Sequence, residues 1–282
     1  MAAPKVWLIT GASTGFGRLM AELALEKGDT VIATLRRPEV LAELAAKYTS
    51  SQLLVLKLDV KRPDEVTAAF TQAQESFGRI DVVFNNAGYA AVSEVESAQG
   101  HEDVVRDMFE VNFWGAVHVT QSAVRYFREV NNPAGGRLLQ MSSLAGIEGA
   151  PAAGFYCASK FALEGLSEAL AKELHPSWNI KVTIIDPGPF RTTAHLNVIA
   201  LPQHPAYVDT AAAAGRIYMR QDVADDARKA VLKLYELVDL PEPPLHLPIG
   251  KSAVESLRRK AADLSTDADA YASWSEGLEL AE

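Results

Sequence analysis

The sequence predicts a single-domain α/β fold, in which one doubly wound parallel sheet carries helices on both faces. The chain has 282 residues, a length that such folds often fill as one unit. Short segments rich in Val, Ile and Leu alternate along it with segments of helical periodicity. Because these apolar segments do not alternate polar with apolar residues, we expect both faces of the sheet to be buried.

The first two strands flank a turn and a helix. Residues 5–10 (KVWLIT) form an apolar run that ends at a glycine, and residues 15–27 carry apolar side chains at helical spacing. Gly28 ends this helix, and the segment TVIATL from Thr30 predicts a second buried strand. The sequence therefore begins with a βαβ unit.

The same alternation continues to residue 250. The spacing predicts the following further elements: helices at 38–47, 63–77, 101–130, 154–174 and 222–239, and strands at 53–59, 80–88, 136–143, 180–188 and 245–250. Residues 191–222 break the pattern with prolines and an alanine run, and we interpret them as an insertion that covers a binding site. We expect residues 1–250 to form the domain and residues 251–282 to form a helical, acidic extension.

Composition excludes several classes of function. The formal net charge is -9 and the sequence pI is about 5.3, which disfavours nucleic acid and anionic membranes as partners. No apolar run approaches the roughly 20 residues of a membrane span, and we expect a cytoplasmic protein. Cys157 is the single cysteine, and the six histidines lack metal-ligand spacing, so we predict no intrachain disulfide and no metal.

A glycine-rich turn follows the first strand. The segment TGASTGFG places Gly11, Gly15 and Gly17 between this strand and the first helix. Glycines let backbone N–H groups approach a pyrophosphate, which also gains from the positive end of the helix dipole. The spacing differs from G-x-G-x-x-G, so a tight turn without a ligand is the alternative.

Four motifs in register resemble the short-chain dehydrogenase/reductase family. They are TGASTGFG, NNAG at 85–88, Y-x-x-x-K at 156–160 and DPGPFRT at 186–192, and the resemblance spans residues 5 to about 250. It implies a single-domain Rossmann fold that binds a nicotinamide cofactor. The stretch ATLRR, the chain length and the insertion after Thr192 resemble the branch that includes 17β-hydroxysteroid and retinol dehydrogenases.

The end of the second strand predicts which nicotinamide is bound. Dinucleotide folds place an acid there for a ribose 2′-hydroxyl, or an arginine for a 2′-phosphate. This chain has Arg36 and Arg37 and no acid, and a guanidinium can grip a phosphate bidentately. We therefore predict NADP(H), with Arg36 as the first contact. The alternative is two solvated arginines at the start of a helix.

The resemblance implies further cofactor contacts at the carboxyl ends of the strands. Those on the phosphate and adenosine side are Gly11, Ser13, Thr14, Gly15, Phe16, Gly17, Asp59, Val60, Asn86, Ala87 and Gly88. Those near the nicotinamide and its ribose are Tyr156, Lys160, Pro187, Gly188, Phe190 and Thr192. For Asn86 the alternative is bracing of the sheet, and for Phe190 it is packing within the insertion.

Tyr156 and Lys160 lie one helical turn apart and are candidates for proton transfer. Reduction of a ketone leaves an alkoxide that needs a proton, and tyrosine titrates near 10. Lowering that pKa to about 7 requires on the order of 4 kcal/mol, for which a lysine and a cationic nicotinamide have the right charge. Spacing alone also fits an aromatic on an apolar face beside a solvated lysine.

The resemblance completes the catalytic set with Ser143 and Asn112. Ser143 lies thirteen residues before Tyr156, as the catalytic serine does in relatives, which leaves Ser142 a structural role. Asn112 matches the asparagine that anchors a water between the lysine and solvent, and its alternative is hydrogen bonding to local backbone.

These residues predict an NADP(H)-dependent oxidoreductase that interconverts a secondary alcohol and a ketone or aldehyde. The apolar insertion favours a hydrophobic small-molecule substrate. A cofactor-binding sensor without turnover is one alternative, and an epimerase or dehydratase that uses the cofactor internally is another. Relatives are commonly dimers or tetramers, so the resemblance implies a homo-oligomer.

Overall fold

A computed structural model describes residues 3–192, 198–220 and 225–280. Over these residues one sheet contains seven strands: β1 Val6–Thr10, β2 Thr30–Leu35, β3 Leu53–Lys57, β4 Val82–Asn85, β6 Gly136–Met141, β7 Ile180–Pro187 and β9 His246–Ile249. A separate two-stranded ribbon contains β5 Ala91–Val92 and β8 Ile199–Ala200. Every strand pair in both sheets is parallel.

Ten α-helices accompany these strands in the described residues. They are α1 Gly15–Glu26, α2 Ala42–Ala45, α3 Pro63–Phe77, α4 Glu102–Phe109, α5 Ala116–Glu129, α6 Leu144–Ile147, α7 Gly154–Glu173, α8 Ala211–Tyr218, α9 Ala227–Leu237 and α10 Lys251–Tyr271. Over the same residues, no helix combines the length and apolar character that a membrane crossing requires.

The large sheet is buried on both faces. Neighbouring residues of β1 point to opposite sides: Ile9 packs in a cluster with Met20 of α1, and Leu8 packs in a second cluster with Phe127 of α5. The strand order is β3-β2-β1-β4-β6-β7-β9, so the direction of winding reverses between β1 and β4. The predicted doubly wound α/β fold is therefore confirmed. Polar and apolar residues do not alternate along the strands because both faces of the sheet are buried, as predicted.

Three predicted elements differ in extent. The helix predicted at 38–47 is a 3₁₀ turn, Pro38–Leu41, followed by the single turn of α2. The strand predicted at 80–88 ends at Asn85, because the next two backbone N–H groups donate to the Thr10 hydroxyl rather than to a neighbouring strand. The helix predicted at 101–130 is interrupted by a π-helical turn, Glu110–Gly115, between α4 and α5.

The described part of the 191–222 insertion has regular structure. Strand β8 pairs with β5, and Thr210 caps α8 by accepting a hydrogen bond from the backbone N–H of Ala212. The Arg216 guanidinium on α8 contacts both carboxylate oxygens of the buried Glu94. The insertion is thus joined to the body of the protein, while residues 193–197 and 221–224 lie outside the described residues.

The carboxyl-terminal extension is helical for most of its length. Helix α10 is anchored near its start, where Ala253 is fully buried. From residue 261 onward every described side chain is exposed, including Trp274. The acidic residues from Asp263 onward therefore extend the helix into solvent.

Candidate active site

The predicted site residues gather at the carboxyl ends of the central strands. The glycine-rich turn follows β1, the NNAG segment begins at the end of β4, and Ser143 follows β6. In an open α/β sheet this edge, next to the point where the winding reverses, is where ligands bind.

The glycine-rich turn is packed too closely for larger residues. Gly11 has a φ of +66°, and a Cβ on Gly17 would lie 2.5 Å from the Gly11 carbonyl oxygen. The Asn86 side-chain amide donates to the Thr10 carbonyl at 2.9 Å, so this side chain braces the turn. Asn86 thus holds the turn against β1, which is the alternative role predicted for it. The backbone N–H groups at the amino end of α1 are of the kind that can bind a phosphate.

The segment after β7 meets the glycine-rich turn from the other side. Phe190 packs edge to face against Phe16, with 5.5 Å between the ring centres. A Cβ on Gly15 would lie 3.7 Å from the Thr192 Cβ, and the Gly188 backbone N–H donates to Ile249. The residues predicted for the phosphates and those predicted for the nicotinamide are therefore adjacent, and Phe190 has the packing contact that the sequence left open.

The adenosine end contains an exposed basic group. Arg36 and Arg37 follow β2 and are exposed, and neither forms an ion pair with another described residue. Nearby, the Asp107 carboxylate accepts hydrogen bonds from Lys61 at 2.7 Å and from the Tyr89 hydroxyl at 2.8 Å. This charge-assisted contact raises the pKa of Lys61, which keeps its ammonium protonated.

Asp59 and Val60 continue beyond β3 in a tight turn. The Asp59 carboxylate accepts from the Lys61 backbone N–H at 3.1 Å, and the Asp59 N–H donates to Glu65 at 2.7 Å. Val60 is buried, and a Cβ on Gly115 would lie 2.5 Å from its Cγ2. The side chain of Val60 is therefore used for packing against Gly115.

Ser143, Tyr156 and Lys160 come together at the start of α7. Ser143 caps α6 by accepting from the Ala145 backbone N–H, and its side chain lies close enough to Tyr156 to affect the pKa of the phenol. Burial raises the pKa of Tyr156, and the neighbouring Ser143 side chain acts in the opposite direction. The lowering of this pKa by Lys160 and a bound cationic nicotinamide together stays a prediction, because these shifts are those of the protein without cofactor.

Lys160 is a buried cationic side chain next to Tyr156. Its Nζ donates to the Met141 carbonyl oxygen at 2.8 Å. Burial lowers its pKa to about 8, while the negative charges of Glu164 and Asp186 act to raise it. The alternative of a solvated surface lysine is excluded by this burial.

Asn112 lies in the π-helical turn, and its side chain is fully engaged. Its amide donates to the Tyr89 carbonyl at 2.8 Å and to the Ser159 hydroxyl at 3.1 Å, and its Oδ1 accepts from the Tyr89 N–H at 3.0 Å. A Cβ on Gly88 would lie 3.0 Å from the Asn112 Oδ1 and 3.5 Å from the Lys160 Nζ. Asn112 thus lies beside Lys160. The Asn112 side chain also makes hydrogen bonds to local backbone, which is the alternative role predicted from the sequence.

A buried polar network beneath the site escapes prediction from sequence. The Asn85 amide donates to Gln140 at 2.8 Å and to the Ala116 carbonyl at 2.9 Å, and the Gln140 amide donates to Thr120 at 2.8 Å. The available signal was the presence of Asn and Gln inside otherwise apolar strands. Such groups must find partners when buried, so they tie β4, β6 and α5 together.

A family model described as short chain dehydrogenase matches residues 5–200. The chain belongs to this family. Among the relatives, an uncharacterised oxidoreductase of Schizosaccharomyces pombe is 39% identical over 264 residues, which cover 92% of this chain and 87% of that protein. A crystal structure of a short-chain dehydrogenase from Streptomyces avermitilis matches with a TM-score of 0.88 and 33% identity, covering 99% of this chain and 100% of that one.

Solved short-chain dehydrogenases share the fold and contain a nicotinamide dinucleotide. The protein from Burkholderia phymatum contains NAD and matches with 23% identity and a TM-score of 0.77, covering 94% of this chain and 95% of its own. The protein from Burkholderia cenocepacia contains NADP and matches with 24% identity and a TM-score of 0.71, covering 94% and 96%. These two likenesses show the shared fold, and the family match together with the Schizosaccharomyces pombe relative makes this chain an oxidoreductase of the short-chain dehydrogenase family.

Proposed function

We propose that this short-chain dehydrogenase uses NADP(H) to interconvert a secondary alcohol and its ketone or aldehyde. The observation that carries the proposal is the meeting of the Tyr156 phenol with the Ser143 hydroxyl, one helical turn from the buried ammonium of Lys160. A hydroxyl donor, a proton donor and a fixed positive charge are what the reduction of a carbonyl requires.

Each residue has a separate part in the reaction. The Ser143 hydroxyl donates a hydrogen bond to the carbonyl oxygen, and the Tyr156 hydroxyl delivers a proton to that oxygen as negative charge develops on it. Lys160 stabilises the phenolate that remains on Tyr156, because its charge is buried and only weakly screened. A bound nicotinamide supplies the hydride in this direction and accepts it in the other.

Asn112 is proposed to hold Tyr156 and Lys160 in position. Its side chain fixes the Tyr89 backbone and the Ser159 hydroxyl, and Ser159 in turn donates to the Tyr156 carbonyl oxygen at 2.7 Å. Asn112 and Lys160 both lie close to Gly88 and therefore close to each other. This proximity supports the expected proton relay between the lysine and solvent.

The residues present fit a dinucleotide with a 2′-phosphate. The close-packed glycine turn at Gly11 and Gly17 leaves backbone at the amino end of α1, where the helix dipole favours an anion. Arg36 and Arg37 are exposed at the end of β2, where an acidic residue would repel a 2′-phosphate. These features support NADP(H) over NAD(H).

The insertion supports a hydrophobic substrate. A cleft between the β5–β8 ribbon and α8 has a mixed lining. Val92, Leu201, Val208 and Ile217 form its apolar part, and Gln203, Arg216 and Arg220 form its polar part. The Ser93 backbone pairs with Ala153, just before Tyr156, so one wall of this cleft continues toward the proton donor. An apolar surface in this position gains free energy by covering an apolar ligand.

Consumption of NADPH against a panel of steroids, retinoids, quinones and aryl ketones tests the proposal. We expect turnover with at least one apolar ketone and loss of that turnover in Tyr156→Phe. Full activity in Tyr156→Phe contradicts the assignment of the proton donor. Tight NADPH binding without turnover of any panel member would instead favour the cofactor-binding sensor.

A further inference from the structure

Two carboxyl groups are buried next to Lys160. Glu164 lies one turn after the lysine on α7, and Asp186 lies near the end of β7, with exposed fractions of 7% and 0%. Together with His246 of β9 they place one oxygen or nitrogen atom each within 4.8 Å of one another. Two carboxylates this close and this buried cannot both carry a charge at moderate cost.

The hydrogen bonds of the two carboxyl groups differ. Glu164 accepts from the Ser142 hydroxyl, whereas neither oxygen of Asp186 accepts from a donor elsewhere in the described residues. His246 Nδ1 lies 3.5 Å from Asp186 Oδ2, and His246 Nε2 lies 3.4 Å from Glu168 at the surface. A buried, charged and unpartnered Asp186 would be costly, so its remaining partner is the Glu164 carboxyl.

A proton between the two groups satisfies both of them. If one carboxyl is protonated, it donates a hydrogen bond to the other, and such an O–H···O⁻ bond is among the strongest in proteins. Burial and the neighbouring Glu164 charge raise the pKa of Asp186 to about 9, and burial also raises the pKa of Glu164. The raised pKa values of both carboxyl groups agree with a pair that retains one proton at neutral pH.

The surrounding charges favour a proton over a metal ion. Lys160 faces the pair from α7, His246 faces it from β9, and the segment after β6 contributes the neutral Ser142 hydroxyl. Three ligand-type groups are present, but the ammonium of Lys160 would repel a divalent cation at this position. One proton leaves the pair with a single negative charge, which matches the single positive charge of the lysine.

We propose that Glu164 and Asp186 share one proton and that the resulting single negative charge keeps the buried Lys160 protonated. This inference rests on the proposed function, in which the Lys160 ammonium stabilises the phenolate of Tyr156. Glu164 and Asp186 act through the lysine and are therefore positioning residues.

Amide substitutions distinguish one shared proton from two separate charges. In Glu164→Gln the introduced amide can donate a hydrogen bond to Asp186 in place of the shared proton, and the like charge is gone. We therefore expect Asp186 to ionise beside Lys160, so the net charge stays at minus one, and the same holds for Glu164 in Asp186→Asn. Only the double variant Glu164→Gln/Asp186→Asn brings the net charge to zero. The single variants thus conserve the charge that faces Lys160, and the double variant removes it.

The pH profile of ketone reduction is expected to depend on the net charge of the Glu164 and Asp186 pair, because that charge affects the pKa of Lys160. We expect kcat/KM to fall at high pH as Lys160 loses its proton, with the same alkaline limb in the wild type and in both single variants. In the double variant we expect this limb to move to lower pH by about one unit or more, since a nearby opposite charge contributes shifts of this size. A shift in the single variants as large as in the double variant, or no shift in the double variant, overturns the proposal.

Infrared absorption of a buried, protonated carboxyl gives a readout without turnover. At pH 7 we expect this band in the wild type and in His246→Gln, and its loss in Glu164→Gln and in Asp186→Asn. Glu173→Gln, on the exposed end of the same helix, is the matched control and must keep the band. Far-UV circular dichroism of each variant checks that it is folded.

The infrared result separates this inference from the proposed function. Absence of the protonated band in the folded wild type overturns the shared proton whether or not a reducible ketone is found. A band that behaves as expected, in a protein that reduces no ketone, supports the shared proton and contradicts the proposed function instead.

Discussion

The ammonium nitrogen of Lys160 lies 6.0 Å from the centre of the Tyr156 ring and donates its hydrogen bond to the Met141 carbonyl. The lysine therefore acts on the phenol through space. A charge at this distance and depth is weakly screened, so in the proposed mechanism it would stabilise a phenolate that forms on Tyr156. The proposed order of events follows: the phenol remains protonated until a substrate oxygen takes its proton.

Removal of the Tyr156 hydroxyl tests this order. We expect Tyr156→Phe to reduce kcat about 10²- to 10⁴-fold in NADPH-dependent ketone reduction, the range in which a positioned proton donor contributes. Tyr126→Phe is a control, because the Tyr126 hydroxyl on α5 is buried and has no hydrogen-bond partner in the described residues. Steady-state kinetics of both variants decide the point, and equal losses in the two would argue against a specific role for Tyr156.

The basic group after β2 predicts the cofactor preference. We expect Arg36→Ala to raise the KM for NADPH about 10-fold and to leave the KM for NADH unchanged, because a charge-assisted hydrogen bond contributes roughly 1.5 kcal/mol or more. Arg128→Ala, on the exposed face of α5, is the control. Initial rates with both cofactors measure the effect. A wild-type preference for NADH contradicts the prediction outright.

Crowding at the glycine-rich turn predicts a loss of cofactor affinity. A methyl group at Gly17 would lie 2.5 Å from the Gly11 carbonyl and 2.6 Å from the Asn86 amide, so the turn must shift in Gly17→Ala. Overpacking of about 1–3 kcal/mol corresponds to a rise of roughly 5- to 100-fold in the Kd for NADPH. Titration of NADPH fluorescence measures it.

Gly165→Ala is the matched control for that substitution. Gly165 is in the middle of α7, and no other atom lies within 4 Å of the position that its Cβ would take. We expect unchanged NADPH affinity and a gain of about 0.5–1 kcal/mol in unfolding free energy, since alanine loses less backbone entropy than glycine in a helix. A similar Kd change in both variants would show that the Gly17 contacts are not responsible.

The sequence was sufficient for the fold because its signals there are local. Val, Ile and Leu fill β1 on both faces, and turn residues such as Gly28 separate strands from helices. The meeting of Tyr156 with Ser143 was also predictable, but only by resemblance to a family, since the two belong to different elements.

Features set by tertiary contacts were not predictable. The direction of the Tyr156 pKa depends on how deeply α7 is buried, and no spacing of residues encodes that depth. The pairing of Glu164 with Asp186 joins α7 to β7, and either residue alone resembles an ordinary acid in its element. The π-helical turn around Asn112 likewise follows from its contacts with Tyr89 rather than from helix propensity.

The ion pair between Glu94 and Arg216 predicts how stability depends on pH. Contact with the Arg216 guanidinium holds the pKa of Glu94 at about 2, below its ordinary value of 4.5. The unfolded chain therefore binds a proton at Glu94 between these values, whereas the folded protein does not. The contribution of the pair is complete above pH 4.5 and is lost as the pH falls toward 2.

Glu94→Gln isolates this contribution. The Glu94 side chain is 1% exposed, and its removal leaves the largely buried Arg216 without a counter-charge, so we expect a loss of about 3 kcal/mol in unfolding free energy at pH 7. The difference from the wild type must shrink between pH 4.5 and 2. Glu236→Gln, which breaks an exposed pair with Lys233, should cost less than about 0.5 kcal/mol. Denaturant unfolding across this pH range makes the measurement, and a difference that stays constant down to pH 2 would show that packing, not charge, joins α8 to the body of the protein.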